Sequence, residues 1–432
     1  MGNTDDQLSK LSAQEKRALL DKLLKERQRS QLQGADRFGF PPEYAALAAL
    51  YENEDGDGIA DLFFQSFEGT NGNLASIAGR SFSNFCSYNY LGMSGDPDVS
   101  RAAIKAIETY GTSVSASRLV SGERPFHREL EQEIAGWIGV EDSIVFVGGF
   151  VTNEDTIGHL LGPDDLVVYD SLIHASVQQG ALLSGARAHP FPHNNLDALD
   201  NILQRQRKQA RRTLIVVEGI YSMDGDIPDL PRLIEMKERH AALLMVDEAH
   251  SLGVLGKTGR GIAEHFGADP KAVDLWMGTL SKSLASCGGY IAGSSDLVNY
   301  LRRTAPGFVY SVGISPANGA AALAALRKIA KTPERVETLR QRTRLFHTLA
   351  RDAGLDTGGA HADSAVMPII VGHTGPALAL SRVLKDAGIL ALPIGYPAVP
   401  ENKARLRFFI SSLHTEEQIR EAVEAMRKHK EN

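Results

Sequence analysis

The chain has 432 residues, of which 43% are hydrophobic and 23% are charged, and its formal net charge is −7. This composition is typical of a globular protein with one large domain and a smaller one. The acidic balance disfavours a nucleic-acid partner, which usually requires clustered basic residues.

Four further features are missing from the sequence. Cys86 and Cys287 are the only cysteines, so we expect neither a disulfide framework nor a zinc site, and no metal. The N-terminus lacks the pattern of a signal peptide, and no apolar run reaches the roughly 18 residues of a membrane span. We therefore expect a cytoplasmic protein without a membrane span.

The first segment, from about Ser9 to Arg29, has leucines at helical spacing, and Ser12 with Glu15 forms a capping-box pattern. A stretch rich in glycine and proline follows and is typical of a linker. We expect residues 1–40 to form a helix and linker that either packs on its own domain or acts as a docking element. We expect residues 41–90 to form a separate N-terminal segment.

The middle of the chain alternates short β-rich runs with amphipathic helical patterns. The runs are nearly continuous in apolar residues, as in a sheet covered on both faces. This alternation predicts an α/β fold with a mostly parallel sheet, in a large domain at 91–335. The candidate strands are 143–149, 165–171, 213–219, 242–250 and 274–280.

After residue 335 the order changes, with candidate strands at 364–372 and 405–412 and a closing helix. We expect residues 336–432 to form a smaller α+β domain.

Polar residues follow several of the predicted strands of the large domain. Asp247 and His250 end one strand, Ser222 follows another, and Lys282 follows a third. In open α/β sheets, ligands bind beyond the carboxyl ends of the strands. The sequence therefore predicts a site that these residues share.

Asp247 and Lys282 suggest the chemistry of this site. An aspartate beneath a pyridine ring holds the ring nitrogen protonated, which makes the ring an electron sink. A buried lysine with a lowered pKa is a nucleophile. The segment 247–250 reads DEAH, which helicases also carry, but the sequence has no GxxxxGK[ST] phosphate loop. A helicase is therefore excluded.

Two further segments complete the predicted site. Gly148, Gly149 and Phe150 lie where a strand turns into a helix, and free backbone N–H groups there form a phosphate cradle. The planar side chain of His174 is suited to stack on a pyridine ring, although a single histidine is more often structural.

Taken together, these segments resemble the α-oxoamine synthases, a family of fold-type-I enzymes that depend on pyridoxal 5′-phosphate (PLP). The similarity extends from about Phe82 to His414, and its motifs are most similar to those of the serine palmitoyltransferases. Eight motifs occur in the family's order: FCSYNYLGM, RLVSGERPFHRELE, GGFVTN, HASVQQG, EGIYSMDGD, VDEAHSLG, GTLSKS and ARLRFFISSLHT.

The resemblance implies a role for each site residue. Lys282 would hold PLP as a Schiff base and move a proton, with His174, Asp247 and His250 as its catalytic partners. The substrate amino acid would contact Asn89, and Arg407 would bind its carboxylate, with Arg405 as the competing candidate. The cofactor-binding residues would be Gly149, Phe150, His174, Ser222, Asp247, His250, Thr279, Lys282 and, from the second subunit of a homodimer, Ser311.

The implied reaction is a decarboxylative Claisen condensation of glycine, alanine or serine with an acyl thioester, giving an α-amino ketone. Coenzyme A or an acyl-carrier protein would supply the acyl group; the first segment resembles linkers of peptide and polyketide assembly lines. Where serine palmitoyltransferases often have an arginine before two prolines, this chain has Gly395 and Tyr396, which argues against the pairing of serine with a palmitoyl thioester. An aminotransferase, an amino-acid decarboxylase and a non-catalytic partner subunit remain alternatives.

Overall fold

The computed structural model describes residues 62–396 and 398–431. The chain divides into two units, Met1–Phe64 and Gln65–Asn432, and the second unit contains all the helices and strands described here. The predicted helix Ser9–Arg29 and the linker after it lie outside the described residues, so both remain predictions.

The strands predicted from apolar runs are all present, and their ends differ from the prediction by a few residues. In chain order the strands are β1 Leu74–Ile77, β2 Arg80–Asn84, β3 Asp142–Phe146, β4 Leu166–Asp170, β5 Arg187–Phe191, β6 Thr213–Glu218, β7 Leu243–Asp247, β8 Leu275–Thr279, β9 Gly289–Gly293, β10 Val366–Gly372, β11 Ile389–Leu390, β12 Leu392–Ile394 and β13 Ala404–Phe409.

Helices separate most of these strands. They are α1 Pro97–Tyr110, α2 Pro125–Ile138, α3 Gly149–Leu160, α4 Ala175–Ser184, α5 Leu196–Gln206, α6 Leu230–Arg239, α7 Ile262–Phe266, α8 Ser295–Thr304, α9 Pro306–Val309, α10 Pro316–Lys331, α11 Glu334–Asp352, α12 Thr374–Asp386 and α13 Glu416–Glu431. Local sequence sets several helix starts: the side chains of Asn195 and Asp229 accept the N–H groups of Ala198 and Arg232 as N-caps.

The large sheet has seven strands in the order β3-β9-β8-β7-β6-β4-β5. Neighbouring strands in the series β8, β7, β6, β4 and β5 pair in parallel, and β9 is antiparallel to both β8 and β3. The mostly parallel sheet predicted from the sequence is therefore confirmed.

Side chains alternate between the two faces of this sheet, and both faces are buried. Along β6, Ile215 and Val217 belong to one apolar cluster, whereas Leu214 and Val216 belong to another. Because parallel strands covered on both faces need apolar side chains at every position, the sequence shows continuous apolar runs.

The C-terminal part forms a second, antiparallel sheet in the order β10-β13-β12. A third small sheet joins the hairpin β1–β2 to β11, so residues 74–84 pair with the C-terminal part of the chain. Within the described residues, no helix is both long enough and apolar enough to cross a membrane.

Candidate active site

One cavity of about 330 Å³ opens at the carboxyl ends of β6, β7 and β8. It is lined by Tyr88, Gly149, Phe150, Asn153, His174, Ser176, Glu218, Ser222, Met223, Asp247, Ala249, His250, Met277, Thr279, Ser281, Lys282 and Arg407. Eight of the predicted cofactor residues and Arg407 therefore lie around one space, as the rule for parallel sheets predicts.

Lys282 follows β8 by three residues, and its Nζ lies 5.5 Å from the centre of the Tyr88 ring. Burial lowers the pKa of Lys282 to about 8, against the opposing charges of Asp247 and Glu218. A substantial fraction of the amine is therefore neutral near physiological pH, which a nucleophile or a base requires.

Asp247 is buried at the end of β7, and both of its carboxylate oxygens accept hydrogen bonds. The Asn153 side-chain amide donates to Oδ2 at 2.8 Å, and the Ala249 N–H donates to Oδ1 at 2.9 Å. Two fixed donors hold the carboxylate in one orientation, as a partner for a ring nitrogen must be held.

The two histidines of the cavity are both held neutral. Burial is the largest cause that lowers the pKa of His174 and of His250. The Ser176 N–H donates to His174 Nδ1, which lies 2.7 Å from the Ser176 hydroxyl. The Tyr90 hydroxyl lies 2.8 Å from His250 Nδ1. A neutral imidazole suits stacking on a cationic pyridine ring.

The predicted phosphate cradle corresponds to the N-terminus of α3. Among the described residues no side-chain cap bond is found at Gly148, so the first N–H groups of this helix are available to an anion. A Cβ at Gly149 would approach the Thr279 hydroxyl to 2.9 Å, which shows how closely these two residues pack. Gly149, Phe150 and Thr279 are thus brought together as predicted.

The two arginine candidates differ in their partners. Arg405 is buried and bonds Asp224 at 2.6 Å and the Met223 carbonyl at 3.0 Å. Arg407 lines the cavity and donates to the Ser222 carbonyl at 2.8 Å, while its buried Nε has no hydrogen-bond partner. The guanidinium that can still bind a carboxylate is therefore that of Arg407.

Two predicted residues lie elsewhere. Asn89 is not among the described residues that line the cavity; its amide exchanges hydrogen bonds of 3.1 Å with the Ser94 backbone. The adjacent Tyr88 lines the cavity instead. Ser311 lies between the exposed side chains of Tyr310 and Val312, outside this subunit's cavity, and its role in a second subunit stays a prediction.

Three residues of the cavity were not predicted from the sequence: Glu218, Asn153 and Ser176. Glu218 ends β6 just as Asp247 ends β7, so the strand-end rule applied to Asp247 would have found it. Asn153 lies one helical turn after Gly149 in the GGFVTN segment, at the spacing that places two residues on one helix face.

The residues present fit PLP. They provide an amine, an uncapped helix N-terminus for the phosphate and a fixed carboxylate for the ring nitrogen. Two residues that line the cavity, Asn153 and Arg407, also each carry a buried polar atom, Oδ1 and Nε respectively, for which the described residues provide no partner. Such atoms are costly unless a ligand satisfies them.

Comparison with known proteins agrees with this site. Residues 80–426 match the model of the family "Aminotransferase class I and II". An 8-amino-7-oxononanoate synthase of Symbiobacterium thermophilum is 40% identical over 352 residues, which are 82% of this chain and 89% of that protein. One from Geobacter sulfurreducens is 42% identical over 363 residues, covering 83% and 91%.

Solved structures with the same fold include serine palmitoyltransferases. That of S. paucimobilis, with a bound PLP–myriocin aldimine, has a TM-score of 0.85 and 30% identity, covering 89% of this chain and 97% of that one. That of Sphingomonas wittichii gives the same score and identity over 91% and 98%. The chain therefore belongs to the α-oxoamine synthases, PLP-dependent acyltransferases with the fold-type-I architecture, as its motifs predicted.

Proposed function

We propose that this enzyme condenses a small amino acid with an acyl thioester and releases carbon dioxide, a thiol and an α-amino ketone. A carbon–carbon bond forms between the α-carbon and the acyl carbonyl, the C–S bond breaks, and the carboxylate leaves as carbon dioxide. The observation that carries this proposal is the placement of Lys282, Asp247 and Arg407 around one cavity.

Three residues of the cavity have different roles in this reaction. PLP, when bound, supplies a ring that takes up the electron pair left at the α-carbon. Lys282 moves the proton at that α-carbon, since its lowered pKa of about 8 lets it both accept and return a proton. Asp247 would hold a proton on the ring nitrogen, and His174 would pack against the ring.

Arg407 orients the amino acid through its carboxylate. Its guanidinium is fixed by the Ser222 carbonyl and lies over the Phe409 ring, with 4.6 Å between Cζ and the ring centre. A planar guanidinium held in this way favours a bidentate carboxylate and hence one orientation of the α-carbon.

The size of the cavity favours a small amino acid. Its volume of about 330 Å³ must hold the cofactor as well as the substrate, so little space remains for a side chain. We therefore propose glycine, alanine or serine as the amino substrate. The acyl group would arrive on the pantetheine arm that coenzyme A and acyl-carrier proteins share.

The active assembly in this proposal is a homodimer. Leu119 and Val120 are 65% and 80% exposed, and Tyr310 is 84% exposed. The bridge between Ser117 and Val312 brings the two segments side by side. Exposed apolar side chains on two adjacent segments favour an interaction surface, and a second copy covering them would bring Ser311 towards a neighbouring site.

Product analysis of the PLP-loaded enzyme tests the function. Each amino acid is offered with a series of acyl-CoA and acyl-carrier-protein thioesters, and free thiol and carbon dioxide are measured. We expect free thiol and carbon dioxide to be released in equal amounts, with one of the amino acids. The Lys282→Ala variant should release neither. A keto acid or an amine formed without thioester would overturn the proposal in favour of an aminotransferase or a decarboxylase.

A further inference from the structure

Glu218 lies beside Asp247 at the carboxyl edge of the large sheet. The two residues are register partners in the parallel pair β6–β7, so their side chains leave the sheet on the same side. Glu218 is 3% exposed and lines the cavity. A second buried carboxylate next to Asp247 is costly, because burial and the Asp247 charge both raise the pKa of Glu218 well above its usual value.

Both oxygens of the Glu218 carboxyl group are used. Oε1 accepts the backbone N–H of His174 at 2.7 Å, and Oε2 accepts the backbone N–H of Ser222 at 3.0 Å. These two residues belong to different loops, one after β4 and one after β6. The carboxyl group therefore joins the two loops that supply side chains to opposite parts of the cavity.

The same group closes a chain of hydrogen bonds around the site. His174 Nδ1 lies 2.7 Å from the Ser176 hydroxyl, which accepts from the Asn153 amide at 2.9 Å. Asn153 donates in turn to Asp247, the strand neighbour of Glu218. A displacement of Glu218 would therefore move His174 relative to Asp247.

We propose that Glu218 is a positioning residue of the cofactor site: it fixes the distance between His174 and Ser222, and through them sets the gap in which the pyridine ring is held. The proposal depends on the PLP site alone and not on the identity of the amino acid or thioester. Its test therefore uses no substrate, and its failure would leave the proposed reaction untouched.

The test compares Glu218→Gln with Glu248→Gln. In the first variant the new amide side chain keeps the shape of the carboxyl group but offers one acceptor oxygen to two N–H donors. Glu248 is an equally buried carboxylate that bonds Ser251 and the Ile262 N–H and is not among the described residues lining the cavity. For each protein, equilibrium dialysis gives the PLP dissociation constant, absorbance gives the maximum of bound PLP, and calorimetry gives the Tm of the apo-protein.

We expect Glu218→Gln to raise the dissociation constant by about tenfold and to shift the absorption maximum, whereas Glu248→Gln lowers the Tm without either effect. The increase in the PLP dissociation constant should be smaller when Glu218→Gln is combined with His174→Ala, because Glu218 acts through His174. Affinity and spectrum unchanged from the wild type, or changed equally by Glu248→Gln, would overturn the proposal. If Glu218→Gln does not fold, Glu218→Asp, which retains both oxygens on a shorter stem, replaces it with the same expectations.

Discussion

The side-chain amide of Asn153 donates a 2.8 Å hydrogen bond to Oδ2 of Asp247, although 94 residues separate them in the sequence. Asn153 lies on α3, the helix whose N-terminus we propose as the phosphate cradle. In that proposal the same helix orients the group for the cofactor phosphate and the group for its ring nitrogen. The phosphate and ring contacts would then be coupled through one helix.

Replacement of Asn153 by alanine should weaken cofactor binding by about tenfold, since the buried Asp247 oxygen loses its donor. Equilibrium dialysis of PLP against the apo-protein measures this. Asn73→Ala is the control: Asn73 donates its amide to Gln418 at 3.0 Å and is not among the described residues of the cavity wall. An equal loss in both variants would show that only general stability had changed.

The rate at which Lys282 bonds to added PLP should rise with pH, with a midpoint near 8. Only the neutral amine attacks, and burial lowers the pKa of Lys282 to about 8. Below that pH the amine is protonated and the rate should fall about tenfold for each pH unit. Stopped-flow absorbance of the apo-protein mixed with PLP gives the profile, and a midpoint near the ordinary lysine pKa would contradict it.

Much of this fold follows from the sequence because parallel strands need apolar side chains on both faces. β5 and β9 were missed for physical reasons. β5 is an edge strand with His189 and Pro190 inside it, and an edge strand tolerates both. β9 begins and ends with glycine and has only three residues between them, which is too short for a periodic signal.

Site residues that directly follow a strand, such as Asp247, could be predicted from the sequence. Residues in irregular segments were harder to predict, because the direction of the side chain determines whether it reaches the cavity. The sequence favoured Asn89 for the substrate, yet its amide bonds the Ser94 backbone while Tyr88 faces the cavity. Neighbouring residues in an irregular segment point in different directions, and no periodicity reveals which one faces inward. The role of Ser311 depends on a second subunit and cannot be read from one chain.

Arg407 and Arg405 should respond differently to replacement by lysine. Arg407→Lys should raise the KM for the amino acid by at least about tenfold with little change in Tm, because a bidentate carboxylate contact is lost. Arg405→Lys should lower the Tm and leave that KM nearly unchanged, because it weakens the pair with Asp224. Steady-state kinetics and calorimetry on both variants decide which arginine binds the substrate, and the reverse pattern would assign it to Arg405.

The exposed side chains of Leu119, Val120, Tyr310 and Val312 form the apolar patch that we expect at the subunit interface. Val120→Asp should convert a dimer to monomers, because a buried, unpaired carboxylate costs several kcal/mol at an interface (about 3–5). Sedimentation velocity measures the mass of the species present. Val383→Asp is the matched control: Val383 is 39% exposed on α12 and its substitution should leave the mass unchanged. If Val120→Asp remains a dimer, the patch does not form the subunit interface, and Ser311 cannot reach a neighbouring site through it. If monomers form and also lose PLP affinity, the second subunit completes the cofactor site, as the position of Ser311 beside the patch leads us to expect.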